Sequence, residues 1–192
     1  MNNVKREYMP IKIVQYSKLT GEEVKCYFGG IAIETIFTKI VKVLENAESC
    51  YPTFRYWLHS KVFTGLHNGT RDILFVFNTE SPFQLLGIAI LKNTNDEKKI
   101  SSFRVYPEYQ RSGIGEILMK WCFDVLEDDK PMITVPRDMS LPLSDTNNCY
   151  SAFDKFMKKK FPDNFVLKQK LPNYYRVGFT EYVYNGFLPM KK

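Results

Sequence analysis

The strongest constraint on this chain is a change of hydrophobic period at Pro107. Before it, Ile73–Phe77 (ILFVF), Leu85–Leu91 (LLGIAIL) and Ile100–Val105 (ISSFRV) are β-prone runs separated by polar breaks at Asn78–Pro82 and Asn93–Lys98. Short breaks between such runs predict hairpins, so the three strands should form an antiparallel meander. After it, Ile114, Ile117, Leu118, Trp121, Cys122, Val125 and Leu126 recur at the i, i+3, i+4, i+7 spacing of an amphipathic helix. A strand ending at Val105 therefore feeds, through a glycine-containing loop, straight into a helix that must pack back on the sheet.

The remaining segments extend this into a mixed α/β (α+β) layout. Ile11–Tyr16 reads as a first strand, and Ile33, Ile36, Phe37, Ile40, Val41 and Leu44 mark a helix over Ile33–Leu44. Pro52 opens a second helix with Phe54, Trp57, Leu58 and Val62 facing inward, closed by Gly65 to Gly69. Met132–Val135 is a short strand, 136–148 a polar loop, Tyr150–Lys159 a helix stopped by Pro162, and Phe165–Leu167 and Glu181–Tyr184 closing strands. The expected order is β-α-α-β-β-β-α-β-α-β-β. A length of 192 residues suits one domain spanning 1–192, with its core over about 10–187.

Composition narrows the function classes. No apolar run approaches the ~20 residues of a membrane span, and MNNVKREYMP has no apolar signal core; a cytoplasmic protein with no membrane partner is expected. Cys26, Cys50, Cys122 and Cys149 form no CxxC pair, which points to free thiols, no zinc site and no metal. The net charge of +6 is unevenly placed: residues 1–150 carry 18 basic and 18 acidic residues, and residues 151–192 carry nine and three. A basic end favours an anionic partner, either nucleic acid or an acidic cofactor.

The loop before the long helix has the composition of an anion site. Gln110, Gly113 and Gly115 precede or open the helix, whose first turn offers free N–H groups and the positive end of its dipole. Glycine lets an anion approach the backbone closely, and Arg111 adds a full charge; such a loop suits a pyrophosphate. It is neither a GxxxxGK[ST] loop nor a GxGxxG fingerprint.

Gln110-Arg111-Ser112-Gly113-Ile114-Gly115 resembles the Q/R-x-x-G-x-G/A signature of GNAT N-acetyltransferases, and Val105-Tyr106-Pro107-Glu108-Tyr109 resembles the V-x-P-x-x stretch before it. The resemblance implies a GNAT-like, mostly antiparallel central sheet flanked by helices. It implies an enzyme, an acyltransferase moving acetyl from acetyl-CoA to a primary amine by direct attack. It places cofactor contacts at Phe103, Arg104 and Val105 on the strand, at Gln110, Arg111, Ser112, Gly113, Ile114, Gly115 and Glu116 around the loop, and at Asn148. It also implies that Ser101–Val105 and Met132–Val135 splay apart to admit the pantetheine arm. The acceptor class stays open between a small molecule, a protein and an aminoacyl-tRNA, and the assembly between monomer and homodimer.

Catalytic residues are harder to name. The family pattern N-x-x-A-x-x-x-Y-x-K-x-G-F aligns with Cys149, Ala152, Phe156, Lys158, Lys160 and Phe161. Phe156 stands where many members carry the tyrosine that protonates the departing CoA thiolate, so the usual acid is missing. Tyr150, six residues earlier, is a weak substitute, and Cys149 a weaker nucleophile. For a base, Glu34, Glu48 and Glu80 are the candidates that could approach. His59 and His67 have no sequence partners for a metal. Lys155, Lys158, Lys159 and Lys160, with Tyr174, Tyr175 and Arg176, suit either a CoA phosphate or an RNA surface. A non-catalytic CoA-binding or RNA-binding module on the same scaffold is the alternative reading.

Overall fold

The computed structural model describes residues 10–30, 33–44, 47–80, 84–142 and 149–190. Its centre is a seven-stranded sheet in the order β1-β2-β3-β4-β5-β7-β6. The strands are β1 (Ile11–Gln15), β2 (Arg71–Asn78), β3 (Gln84–Asn93), β4 (Lys98–Val105), β5 (Met132–Asp138), β6 (Leu167–Pro172) and β7 (Phe179–Tyr184). Every neighbouring pair is antiparallel except β4 and β5, which are parallel. The β2-β3-β4 meander stands as the sequence reading has it.

Helices cover both faces, which explains the unbroken apolar runs. Alternate residues of a strand point to opposite faces. Leu74, Val76, Leu86, Ala89 and Leu91 meet α5 (Ile114–Leu126) and α6 (Cys149–Lys160) on one side. Ile73, Phe75, Phe77, Ile88 and Ile90 meet α1 (Gly21–Phe28), α2 (Ile33–Val43) and α4 on the other. The α4 segment, 54–67, runs through Phe54–Trp57, a π-helical Leu58–Phe63 and Thr64–His67, and follows one turn of helix, α3 (Ala47–Cys50). Strands buried on both faces read as continuous hydrophobic sequence.

The differences from the sequence reading have local causes. The short α1 has little apolar periodicity; it is set by a capping box in which Thr20 and Glu23 satisfy each other's backbone amides. β5 continues past Val135 through Pro136, so 136–138 is strand and not loop. Proline is excluded from central ladders and tolerated on edges, and β5 has an open edge here, described below. The penultimate strand is 167–172, not Phe165–Leu167. Phe165 packs in the core against Phe123, Phe153 and Tyr184. The true strand, LKQKLP, is the lysine-bearing edge of the sheet, and charged side chains on an edge block further pairing.

One close approach fixes how β3 and β4 lie. A Cβ built at Gly87 would sit 2.8 Å from the Arg104 carbonyl oxygen. Gly87→Ala should therefore push β4 outward and cost about 1–3 kcal/mol of stability, read as a lowered urea midpoint with an unchanged slope.

Candidate functional site

The loop from Val105 into α5 is wound tightly by side chains that serve its shape. Pro107–Tyr109 make a turn of 3₁₀ helix. Gln110 Nε2 then donates to the Val105 carbonyl at 3.1 Å, and Ser112 Oγ donates to the Tyr109 carbonyl at 2.6 Å. Arg111 (φ 64°) and Gly113 (φ 94°) are both left-handed, and Gly113 caps α5. The first bonds of the helix are those from Glu116 and Ile117 to the Gly113 carbonyl, so the amides of Ile114 and Gly115 precede its hydrogen-bonded ladder. Nothing lies within 4 Å of a Cβ built at Gly113, so its surroundings leave room for an anion.

Beside this loop the sheet comes apart. β4 and β5 pair only at Lys99↔Met132 and Ile100↔Ile133. Beyond that, β4 stays on β3 and β5 stays on β7. β4 carries a bulge here: Leu91 faces Ile100 and Ile90 faces Ser102, leaving Ser101 as the extra residue, and a bulge bends and twists its strand. The Tyr106 amide donates to the Leu86 carbonyl, and the Arg104 carbonyl faces Gly87. Both therefore turn toward β3. By the alternation of a strand, the main-chain groups of Phe103 and Val105 turn toward the opening.

The other expected contacts separate by face. Phe103 lies on the α5–α6 side, its ring stacked on Phe156 at 6.2 Å. Arg104 points to the opposite face, where its Nε is buried with no partner among the described residues. Ile114 is buried in the core, so it brings only backbone to the loop. Glu116 is held by Lys160 at 2.6 Å and Lys120 at 3.0 Å, and these hydrogen bonds hold its carboxyl below the ordinary carboxylate value. Asn148 lies outside the described residues.

Phe156 occupies the corner where the loop, β4 and α6 meet. The ring carbons Cε2 and Cζ lie 3.6 and 3.7 Å from a Cβ built at Gly115. The Phe156 side chain, an apolar ring with no hydroxyl, thus sits against the glycine loop. Tyr150 is elsewhere on α6: its ring packs on Tyr182 at 4.0 Å and its hydroxyl pairs with Tyr184.

The opposite face of the opening carries a polar group that the sequence reading missed. Glu181 on β7 is 2% exposed. Its Oε1 accepts from the Tyr51 hydroxyl at 2.9 Å, and Thr134, a diagonal cross-strand neighbour on β5, lies on the same face of the sheet and lowers its pKa. Burial pushes its pKa up, against the pull of both and of nearby Lys99. Burial, together with the Glu181 charge, pushes the Tyr51 hydroxyl up as well, and burial pulls the Lys99 ammonium down. Next to them, Arg71 lies over Trp57 and donates to the bulge residue Ser101 at 3.0 Å. The turn 173–178 between β6 and β7 closes over the cluster: Tyr175 packs edge-on against Tyr51, and Arg176 bonds the Ser49 carbonyl. A lone glutamate in a β-prone segment gives no sequence signal of this. Its partners lie 130 and 47 residues away in the chain.

The glutamates named from sequence are not brought here. Glu34 and Glu80 are exposed, and Glu48 pairs with Arg55 at the surface. His59 packs against Phe37, and no group of three metal-ligating side chains occurs among the described residues. The cysteines Cys26, Cys50 and Cys122 form no disulfide. Lys160 is turned to Glu116 and Lys158 to Asp154 at 2.7 Å, leaving Lys155 and Lys159 exposed on α6. Tyr174 donates to the Pro189 carbonyl, so the tyrosine pair and Arg176 serve packing of the β6–β7 turn. No helix among the described residues is long and apolar enough to cross a membrane.

The family model that matches is the Acetyltransferase (GNAT) family, over residues 40–135. No curated protein matches the chain. Among solved structures, it is similar to a GNAT-family protein from Desulfovibrio desulfuricans, with TM-score 0.57 and 12% identity over 91% of this chain and 97% of that one. It is similar to a chain of the NatC complex bound to Gag peptide and CoA, with TM-score 0.55 and 14% identity over 90% and 96%. It is also similar to a spermidine N-acetyltransferase variant from Vibrio cholerae, with TM-score 0.50 and 12% identity over 91% and 92%.

Glu181 makes a prediction that needs no ligand. Its raised folded pKa means that the protonated form favours the fold. That contribution is complete below the unfolded value of 4.5 and is lost as pH rises through the folded value. Glutamine keeps an oxygen for Tyr51 and carries no charge. Glu181→Gln should therefore match wild type in melting temperature near pH 4 and exceed it increasingly toward pH 8, measured by circular dichroism.

Proposed function

The chain belongs to the Acetyltransferase (GNAT) family, and from that premise we propose that it transfers acetyl from acetyl-CoA to a primary amine by direct attack on the thioester. The observation that carries this reading is the opening between β4 and β5 beside the glycine loop. Main-chain groups of Phe103 and Val105 face an edge that no strand takes, and an amide-bearing pantetheine arm fits such an edge as an added strand would. The amides at Gly113, Ile114 and Gly115, with Arg111, suit the pyrophosphate. The co-substrate supplies an activated acyl group; this chain's residues hold it and direct the amine to it. Gln110 and Ser112 act on loop shape in this reading, because their side chains are engaged with Val105 and Tyr109.

A second reading, CoA binding without turnover, is favoured by one observation: Phe156 brings no hydroxyl to the corner formed by Gly115 and Phe103. An acetylation assay over 2-phenylethylamine, spermidine and a peptide with a free α-amine separates the two. Calorimetric binding of acetyl-CoA with no acetylation of any amine would favour the second reading, and no binding at millimolar acetyl-CoA would end both. Gly113→Ala, which forces a side chain into φ 94°, should weaken CoA binding about five- to thirtyfold, because the strain of about 1–2 kcal/mol per left-handed residue is relieved only by unwinding the cradle. Phe156→Tyr should raise turnover, read as an increase in kcat with KM for acetyl-CoA unchanged.

A further inference from the structure

We propose that Glu181 is the proton acceptor for the incoming amine, reached through the hydroxyl of Thr134. This rests on the proposed acetyl transfer and adds to it the group that makes the nucleophile. Thr134 is the first β5 residue beyond the pairing with β4, so it stands at the apex of the opening, opposite Ser101. Ile133 and Val135 face the α5–α6 core, so Thr134 faces the other side, the face of Glu181, whose direct partner on β5 is Pro136, two residues further along. Thr134 is half-buried, whereas Glu181 is sealed in behind it. Thr134 thus stands between the opening and the carboxylate. From Val105 back to Ser101, β4 covers about 13 Å. An extended arm with two amide bonds, entering at the loop and following β4, spends its length over such a distance and ends at the apex.

The proton balance is simple. The ammonium of the acceptor gives one proton to Thr134 Oγ, whose own proton passes to a Glu181 oxygen. The freed lone pair forms the C–N bond and the C–S bond breaks. The second nitrogen proton leaves to the thiolate or to solvent, and Glu181 returns its proton to solvent. Every group packed on the carboxylate is consistent with it cycling between charge states. Tyr51 donates to Oε1 from the α3–α4 side. Tyr175, on the β6–β7 turn, and Lys99, on β4, both interact with its charge, while Leu171 is its cross-strand neighbour on β6. Tyr51 and Lys99 keep the ionised form accessible, and burial keeps it basic enough to take a proton.

The test uses two nucleophiles on the full chain. Hydroxylamine is uncharged at neutral pH and needs no base before attack; an alkylamine is charged and does. Glu181→Gln should lose about 10²–10⁴-fold in kcat/KM at neutral pH with the alkylamine that wild type acetylates fastest, recover that activity at high pH, and largely keep hydroxylamine acetylation. Thr134→Val should behave alike and Thr134→Ser like wild type. Tyr51→Phe removes a donor to the carboxylate and should move the acidic limb of the pH profile to higher pH. Equal loss with both nucleophiles, or no loss with either, overturns the proposal, as does an unmoved acidic limb in Tyr51→Phe. Wild-type protein that binds acetyl-CoA yet acetylates neither nucleophile fails the proposed function itself, which is a different result from failure of the variants alone.

Discussion

Beyond Ile100 and Ile133 two parallel strands part, and the candidate site is arranged around that parting. Backbone N–H and C=O groups that lose a ladder partner cost about 1–3 kcal/mol each when buried without a substitute. The fold bears this because each strand is held on its other side: β4 by the β3 ladder and β5 by six residues of β7. The Ser101 bulge bends β4 at the point of separation, and Pro136 sits on a strand that is an edge toward β4 from Thr134 onward. The opening is therefore written into two strands by ordinary means, an inserted residue and a proline, with no unusual conformation at its centre.

The parting also sorts chemistry by face. On the α5–α6 side it is bordered by Phe103, Phe156 and the glycine loop, which are apolar side chains and backbone amides. On the helix α3–α4 side it is bordered by Thr134, Glu181, Tyr51, Arg71 and the Nε of Arg104, which has no partner among the described residues. Two sides with such different polarity suit two different reactants, and the sequence alone points only to the first as a ligand site. The glycine loop is local: its residues touch because they are adjacent, so their spacing carries the information. The second face is assembled from β4, β5, β7 and the α3–α4 connection, and no spacing in the chain encodes that Tyr51 meets Glu181.

The same contrast runs through the fold. The meander and α5 were readable because their apolar periods are long and unbroken. The failures came where a residue was read by propensity and the structure used it for packing, or the reverse. Phe165 looks like a strand residue and fills the core from a loop, while lysine-rich LKQKLP looks like loop and forms the edge strand. From sequence alone, Glu34, Glu48 and Glu80 are base candidates only in that they could approach. Glu34 and Glu80 stand exposed and Glu48 pairs with Arg55 at the surface, whereas the glutamate beside the opening is sealed in the sheet.

Magnitudes make the pairing of Phe156 with Glu181 chemically coherent. An alkylammonium with a pKa near 10.4 costs about 4.6 kcal/mol to deprotonate at pH 7, whereas a thiolate whose parent thiol has a pKa near 8.5 is only about 2 kcal/mol above its protonated form. The proton that must leave the nucleophile is thus the larger of the two demands, and the proton that must reach the leaving group the smaller. A site that keeps a buried carboxylate behind the nucleophile and places a phenyl ring beside the leaving group gives its help where the deficit is larger. On the proposed assignment, losing the acid at Phe156 slows a step that water can complete, while losing Glu181 would leave the attacking amine charged.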